Sequence, residues 1–305
     1  MASKKSVVPF GPQHPVLPEP IHLDLVLDDE RVVEAIPSIG FVHRGLESLV
    51  KKKDFKEMQY VVERTCGICS FMHGMTYCET IEHMMEIEVP ARGRYLRTIW
   101  CEMSRLHSHM LWLGLLADGF GFETDLRKIA KTFLNDYTVQ TRLKNVGILT
   151  KQQAHDLGAC GPMLRASGIA RDTRKLGYAA YGDLDFDIIT SDDCDSYARC
   201  EVRIQEMYQS IALIRQAVDK IPQGDIAVPV KGNPSGEYFM RVEQPRGEAI
   251  YYAKGNGTKF LDRIRIRTPT FANIPALLKT LEGCQFADVP LLILTIDPCI
   301  SCTER

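Results

Sequence analysis

Between Arg92 and Leu116 the apolar residues Leu96, Ile99, Met103, Leu106, Met110, Leu113 and Leu116 recur three or four positions apart. That is the period of one face of an α-helix, and Gly119-Phe120-Gly121 predicts its end. Phe71 to Glu88 predicts a second helix that stops before Pro90, because the residue preceding a proline is pushed out of helical geometry. Helical periodicity also runs from Arg44 to Tyr60, from about Glu123 to Leu143, and onward from near Thr150. Asp192 and Asp193 are expected to cap a long helix reaching about Ile221. The remaining segments read differently. Residues 1–20 are rich in proline and predict an extended arm, and Ile21 to Ile36 alternates around Asp28-Asp29 as a hairpin does. Lys231 to Ile266 predicts strands with glycine turns, Ile274 to Gly283 a short helix, and Val289 to Ile296 an apolar run leading into the last residues.

Neither a repeat nor a low-complexity linker interrupts this pattern. The expectation is one domain over residues 1–305, mainly α with small α+β parts. Within it, 1–40 is an arm and hairpin, 41–222 a helical bundle, and 223–305 an α+β segment that delivers the chain's last cysteines. The apolar fraction of 45% suits a globular protein with a sizeable core. A formal net charge of −2 gives no footprint for nucleic acid. Lys51-Lys52-Lys53 reads as a solvated helix end. The alternation Asp262 to Arg267 puts Arg263, Arg265 and Arg267 on one strand face; this is either an amphipathic edge strand or a surface for an acidic partner subunit. No apolar stretch of about 18 residues exists to span a bilayer, and the start MASKKSVVPFGPQHP holds no apolar signal-peptide core. Ten cysteines without disulfide-like regularity point to a reducing compartment. Six of them, Cys78, Cys101, Cys160, Cys194, Cys200 and Cys284, read as small reduced hydrophobes.

The other four form two pairs near opposite ends of the chain: Glu63-Arg64-Thr65-Cys66-Gly67-Ile68-Cys69 and Asp297-Pro298-Cys299-Ile300-Ser301-Cys302-Thr303-Glu304-Arg305. Brought together, four thiolates make a soft, closed metal site. A lone CxxC is a weak signal shared by zinc ribbons and redox dithiols, but the flanks here are specific. ERTCGIC with DPCISCTER resembles the large, catalytic subunit of nickel-iron hydrogenases. Within that family it is similar to the energy-converting, membrane-associated branch (the Ech and carbon-monoxide-induced types). The likeness extends to GPQHPVLPEPIHLDL, IPSIGFVHRGLE, SDDCDSYARCEVRIQEMYQSI and EQPRGE, nearly the whole chain. The 49-kDa subunit of respiratory complex I shares GPQHP, HRG and the SDDCDSYARC-like helix start but lacks the metal-binding cysteines.

The resemblance implies a fold, that of the hydrogenase large-subunit helical bundle, and an activity, reversible conversion of dihydrogen to protons and electrons. It implies a nickel-iron centre with cyanide and carbon monoxide on iron. Cys66 and Cys299 would be terminal nickel ligands, and Cys69 and Cys302 would bridge nickel and iron. Proton removal would begin at Cys299 and pass to Glu19, whose carboxyl would need burial to act there. Arg246 would hang over the metals, Asp297 would orient Arg246, and His73 would hydrogen-bond near a bridging sulfur. Glu47 matches a glutamate that holds a third metal, magnesium or iron, in many relatives. Arg305 stands where soluble relatives end in a ligating histidine, so the third metal stays open and Glu47 can instead pair with Arg305. Ser108 departs from the aspartate of many uptake enzymes. The end at Arg305 is expected to be a processed one.

Partners follow from the same resemblance. Electrons would leave through an iron–sulfur cluster of a small subunit, with further iron–sulfur and antiporter-like membrane subunits, and with ferredoxin as the distal carrier. The place would be the cytoplasmic side of the cell membrane. Two rival readings remain at this point: a quinone-reductase scaffold of the complex I kind, and a non-catalytic subunit with structural zinc.

Overall fold

The structure, a computed structural model, describes residues 5–17, 19–122 and 132–305. The chain opens with β1 (Ser6–Phe10), which pairs antiparallel with β2 (His22–Asp28), itself paired with β3 (Arg31–Ser38). Burial along β2 alternates, so Leu23, Leu25 and Leu27 enter the core. The arm is therefore not merely extended: its first part is an edge strand. Gly11 allows the return, because its φ is +93° and a Cβ there would lie 1.9 Å from the Ile21 carbonyl oxygen.

The Arg44–Tyr60 periodicity does not give one helix. A 3₁₀ turn (Leu46–Lys51) and α1 (Met58–Glu63) are separated where Phe55 N–H reaches the Lys259 carbonyl at 2.8 Å, a tertiary bond that pulls the chain off the helical path. Next come α2 (Ser70–Met84) and α3 (Ala91–Gly119). The helix expected from Glu123 falls partly outside the described residues; Asp136 starts α4 (Tyr137–Leu143) afresh by accepting from Thr138 N–H at 2.8 Å. Thr150 and Gln153 form a capping box for α5 (Lys151–Asp156), and α6 (Pro162–Arg165) follows. The cap of α7 (Ser196–Lys220) is Asp195, accepting from Ala198 N–H at 2.8 Å, not the exposed Asp192 or Asp193.

A second antiparallel sheet holds β4 (Ser235–Gln244), β5 (Gly247–Asn256) and the edge strand β6 (Leu261–Arg267). Then come α8 (Pro269–Leu281), α9 (Val289–Thr295) and α10 (Ile300–Glu304). The expected short helix thus begins earlier, at a proline suited to a first turn.

The long helices α3 and α7 pack side by side, α2 lies on β4 and β5, and α8 lies on β3. Trp112, Leu113 and Leu116 of α3 bury against Phe133, Ile204 and Leu294. Each such fully buried apolar side chain stabilises by roughly 1.5–3 kcal/mol. The four cysteines of the two CxxC motifs form a separate buried group. Among the described residues no helix is long and apolar enough to cross a membrane.

Candidate metal centre

Each cysteine pair makes the same local structure. Cys66 Sγ accepts from Ile68 N–H at 3.3 Å and Cys69 N–H at 3.2 Å, and Cys69 is the cap from which α2 starts. Cys299 Sγ accepts from Cys302 N–H at 3.4 Å at the start of α10. The fold then sets first against first and second against second: Cys66 and Cys299 sulfurs are 3.3 Å apart, Cys69 and Cys302 3.8 Å. Thiolates bound about 2.3 Å from one ion lie about 3.3–3.8 Å from each other, depending on the angle. All four are at most 1% exposed. Hydrogen bonds from Cys299, Cys302 and Cys69 drive the Cys66 thiol far down. Burial, with hydrogen bonds given to its neighbours, drives Cys302 far up. A cluster so crowded holds one thiolate comfortably and calls for a cation to hold four.

His73 is fully buried between Tyr251 and Cys302, with Nδ1 2.6 Å from the Tyr251 hydroxyl and Nε2 3.3 Å from Cys302 Sγ. Burial, with Arg246 nearby, pushes its pKa down to about 4, so the ring is neutral. Burial keeps Tyr251 protonated, which makes its O–H the donor to Nδ1 and leaves Nε2–H to donate to Cys302. Cys69, His73 and Cys302 also stand close enough to share an ion.

Arg246 sits at the β4–β5 turn. Gly247 follows it with φ of +131°, and its Cβ would lie 2.8 Å from Gly161 N, so only glycine lets the two backbones touch. Nε donates to the Asp297 carbonyl at 2.7 Å, Nη2 to Asp297 Oδ1 at 2.7 Å and Nη1 to Ser108 Oγ at 3.1 Å. Asp297 thus orients Arg246, and Ser108 takes up a donor. Three of the five guanidinium N–H groups are used. Burial pushes Asp297 up to about 6 against the pull of Arg246 and Arg203.

Behind this turn lies a buried charge network invisible to residue patterns. Arg105 donates to the carbonyls of Gln244 (3.2 Å) and Glu243 (2.7 Å). Arg165 bridges Glu206 (2.6 Å) and Glu243 (2.7 Å), and His109 meets Glu206 at 3.1 Å. Burial would raise Glu206, yet Arg165 and His109 hold it well below the usual carboxylate range.

Glu19 is half-buried. Its carboxylate accepts from the N–H groups of Ile300 and Ser301 and from the Ser301 hydroxyl. It lies beside the second cysteine pair, but as a cap on α10 rather than in a fully dry interior. Glu47 stands apart from the cysteines. It accepts from Arg265 (2.5 Å), Ile266 N–H (2.9 Å) and Arg305 (3.0 Å). Burial would raise its pKa, but these three partners hold it below the usual value. Two guanidinium groups thus share this carboxylate, and the expected pairing with Arg305 is present. Arg267 of the arginine face reaches Glu248 at 3.8 Å, and Lys51, Lys52 and Lys53 are exposed. Of the six remaining cysteines, Cys101, Cys160, Cys200 and Cys284 are buried and Cys78 and Cys194 half-buried, all unpaired. Burial pushes Cys160 and Cys200 up to about 12.

The residues present fit a nickel-iron centre. The donor set is all thiolate, which suits soft and borderline ions. Gln244 Nε2 is buried beside the cysteines without a partner, and Arg246 keeps two spare N–H groups. Gln244 sets its Oε1 3.9 Å from Cys69 Sγ; turning the amide over would give that sulfur a donor instead. Gln244 lies in the EQPRGE motif but drew no role from it, and no sequence pattern pointed to Tyr251.

Comparison with known proteins relates the chain to two families. Residues 44–117 match the nickel-dependent hydrogenase family, and residues 119–233 and 228–305 match the family of the respiratory-chain NADH dehydrogenase 49 Kd subunit. The membrane-bound hydrogenase subunit alpha of Pyrococcus furiosus is 34% identical, over 98% of this chain and 87% of that protein. The carbon monoxide-induced hydrogenase of Rhodospirillum rubrum is 34% identical, over 98% of this chain and 99% of that protein. An NADH-quinone oxidoreductase subunit of Chloroherpeton thalassium is 31% identical, over 96% of this chain and 86% of that protein.

Proposed function

This chain belongs to the family that joins nickel-dependent hydrogenase large subunits and complex I 49-kDa subunits, and from that premise we propose that it is the catalytic subunit of a nickel-iron hydrogenase. The observation that carries the reading is the set of four buried thiols, converging from two CxxC motifs at separations of 3.3 and 3.8 Å. A quinone-reducing scaffold has no use for them.

In this reading Cys66, Cys69, Cys299 and Cys302 would together hold the nickel-iron centre through their thiolates. The bound centre supplies the place where dihydrogen is cleaved to protons and electrons. The chain's own residues do the rest. Neutral His73 donates to Cys302 Sγ and so steadies that sulfur's charge. Arg246, fixed by Asp297, keeps two free donors near the cysteines and would favour anionic ligands there. Cys299 Sγ accepts a proton, and Glu19, bonded to the next residue's amide, carries it outward. Burial of the four cysteines of the centre keeps water from their sulfurs.

Electrons then pass to an iron–sulfur small subunit, with ferredoxin as distal carrier, in a membrane-associated complex that couples the reaction to ion movement. The chain sits on that complex as a peripheral part on the cytoplasmic side. A second reading, the complex I-like scaffold, is favoured by the 49-kDa family match over residues 119–233 and 228–305; structural zinc is a third. Elemental analysis and an infrared spectrum of the native complex separate them. One nickel and one iron per chain, with bands of metal-bound cyanide and carbon monoxide, are expected. Zinc alone, or no metal, would refute the hydrogenase reading.

A further inference from the structure

One exposed side chain touches both of the segments that carry the cysteine pairs. Arg44 lies between His43 and Gly45 at the surface. Its Nη1 donates to the Arg64 carbonyl at 2.6 Å and its Nη2 to the Thr65 carbonyl at 3.1 Å. Nη2 donates also to the Ser301 carbonyl at 2.7 Å, and Nε to Val42 O at 3.1 Å. Arg64 and Thr65 run directly into Cys66. Ser301 lies between Cys299 and Cys302. The bond to Val42 fixes the guanidinium at its root, so the fork is held ready for the three carbonyls. Among the described residues no other side chain donates to the backbone of both segments.

The segment on the far side needs such a tie. α10 has five residues, too few for a helix to stand by itself. Of its residues only Ile300 joins a large apolar cluster. The rest of its hold is polar: Glu19 at Ile300 and Ser301, Val42 N–H on the Glu304 carboxylate at 2.5 Å, His43 Nδ1 against the Glu304 carbonyl at 2.5 Å, Thr268 on the Cys302 carbonyl at 3.0 Å, and His73 Nε2 on Cys302 Sγ at 3.3 Å. Of these only His73 comes from the side of the first pair, and it meets a sulfur rather than the backbone.

We infer that Arg44 is a positioning residue: an external clasp that joins the two cysteine pairs and sets how often the centre opens. The inference rests on the four cysteines forming one centre, and not on which metal fills it. Arginine suits this geometry, since its planar fork serves the three carbonyls from two fixed nitrogens, whereas lysine offers one nitrogen on a flexible stem. Arg44 is exposed, so its truncation leaves no cavity in the core.

The native assembly, as purified, is treated with iodoacetamide in the presence of a chelator, and modification of each cysteine is followed by mass spectrometry. Buried thiols react only through local opening. In Arg44→Ala the cysteines Cys66, Cys69, Cys299 and Cys302 should react at least about tenfold faster, which corresponds to about 1.4 kcal/mol of opening free energy. Arg44→Lys should fall between, and it carries the test if the alanine variant does not accumulate. Cys101 and Cys200, buried away from the centre, should keep their wild-type rates. Unchanged rates at the four cysteines would overturn the clasp, and so would equal acceleration at Cys101 and Cys200, which would mean general loosening. The metal released is identified in the same samples. Zinc there would sink the hydrogenase reading while the rates still decide the clasp.

Discussion

The two cysteine pairs share a spacing and a local bond yet are held by opposite means. The first opens α2, fifteen residues long, and Met72, Met75, Tyr77 and Ile81 of that helix are buried. Moving Cys69 therefore means moving the bundle. The second opens the five-residue α10, which depends on Glu19, Arg44, Thr268 and the contacts of Glu304. The N-terminal pair inherits the stability of the whole fold, while the C-terminal pair can open on its own, since local unfolding follows local contacts. Identical motifs thus meet as a rigid half and a latched half.

The most severe way to probe this contrast is to remove one ligand from each half. Cys66→Ser and Cys302→Ser should each abolish both nickel and activity, because a hydroxyl is a poor substitute for a thiolate. Equal loss from the two variants, read by elemental analysis, would show that a rigid half cannot keep the metal without its latched partner. Full nickel in either variant would break the four-ligand assignment.

A smaller effect should come from Glu19→Gln, which acts on the latched half alone. Glutamine keeps the acceptor oxygen for Ile300 and Ser301 but cannot exchange a proton. Metal content should stay, while turnover falls by roughly 10²–10⁴, the range of a lost acid–base step. Hydrogen–deuterium exchange with solvent should fall alongside. Normal turnover in a fully metallated variant would reduce Glu19 to a cap of α10.

The contrast between the halves also marks what the residue pattern could say. The helices of the rigid half were legible as helices from their apolar spacing, but the buried face of α3 was not: Met103 and Met110 of the apolar stripe are exposed, while Glu102, Arg105, Ser108 and His109 are buried. The convergence of the cysteines was legible too, because their flanks are family-specific. The Arg44–Tyr60 stretch misled, because its helical period is broken by a bond from Phe55 to Lys259, more than two hundred residues on. The cap of α7 was misplaced by three residues or fewer, as Asp192, Asp193 and Asp195 have equal chemistry and only Asp195 meets the Ala198 amide. Arg44 was visible as a motif residue, but its role depends on carbonyls, which carry no sequence signal. The same is true of Arg105, which holds the Arg246 turn through two backbone oxygens.

The mildest expected effect concerns the last residue. Glu47 ties Arg305, which follows α10, to Arg265 and Ile266 on β6. If the C-terminal half is a latch, this tie should matter to α10 and not to α2. Glu47→Gln should speed amide exchange in α10 about fivefold, the equivalent of roughly 1 kcal/mol for weakened charge-assisted hydrogen bonds, and leave α2 unchanged. The pH dependence has a definite sign. Burial acts to raise Glu47, but its three donors win and hold the folded value below the ordinary 4.5. The carboxylate therefore contributes its stability above pH 4.5 and loses it as pH falls through the lower folded value. The difference between wild type and variant should shrink toward nothing in that acid window. A difference that persists there, or one spread equally over α2 and α10, would mean that Glu47 supports the fold at large and that the latch is closed without it.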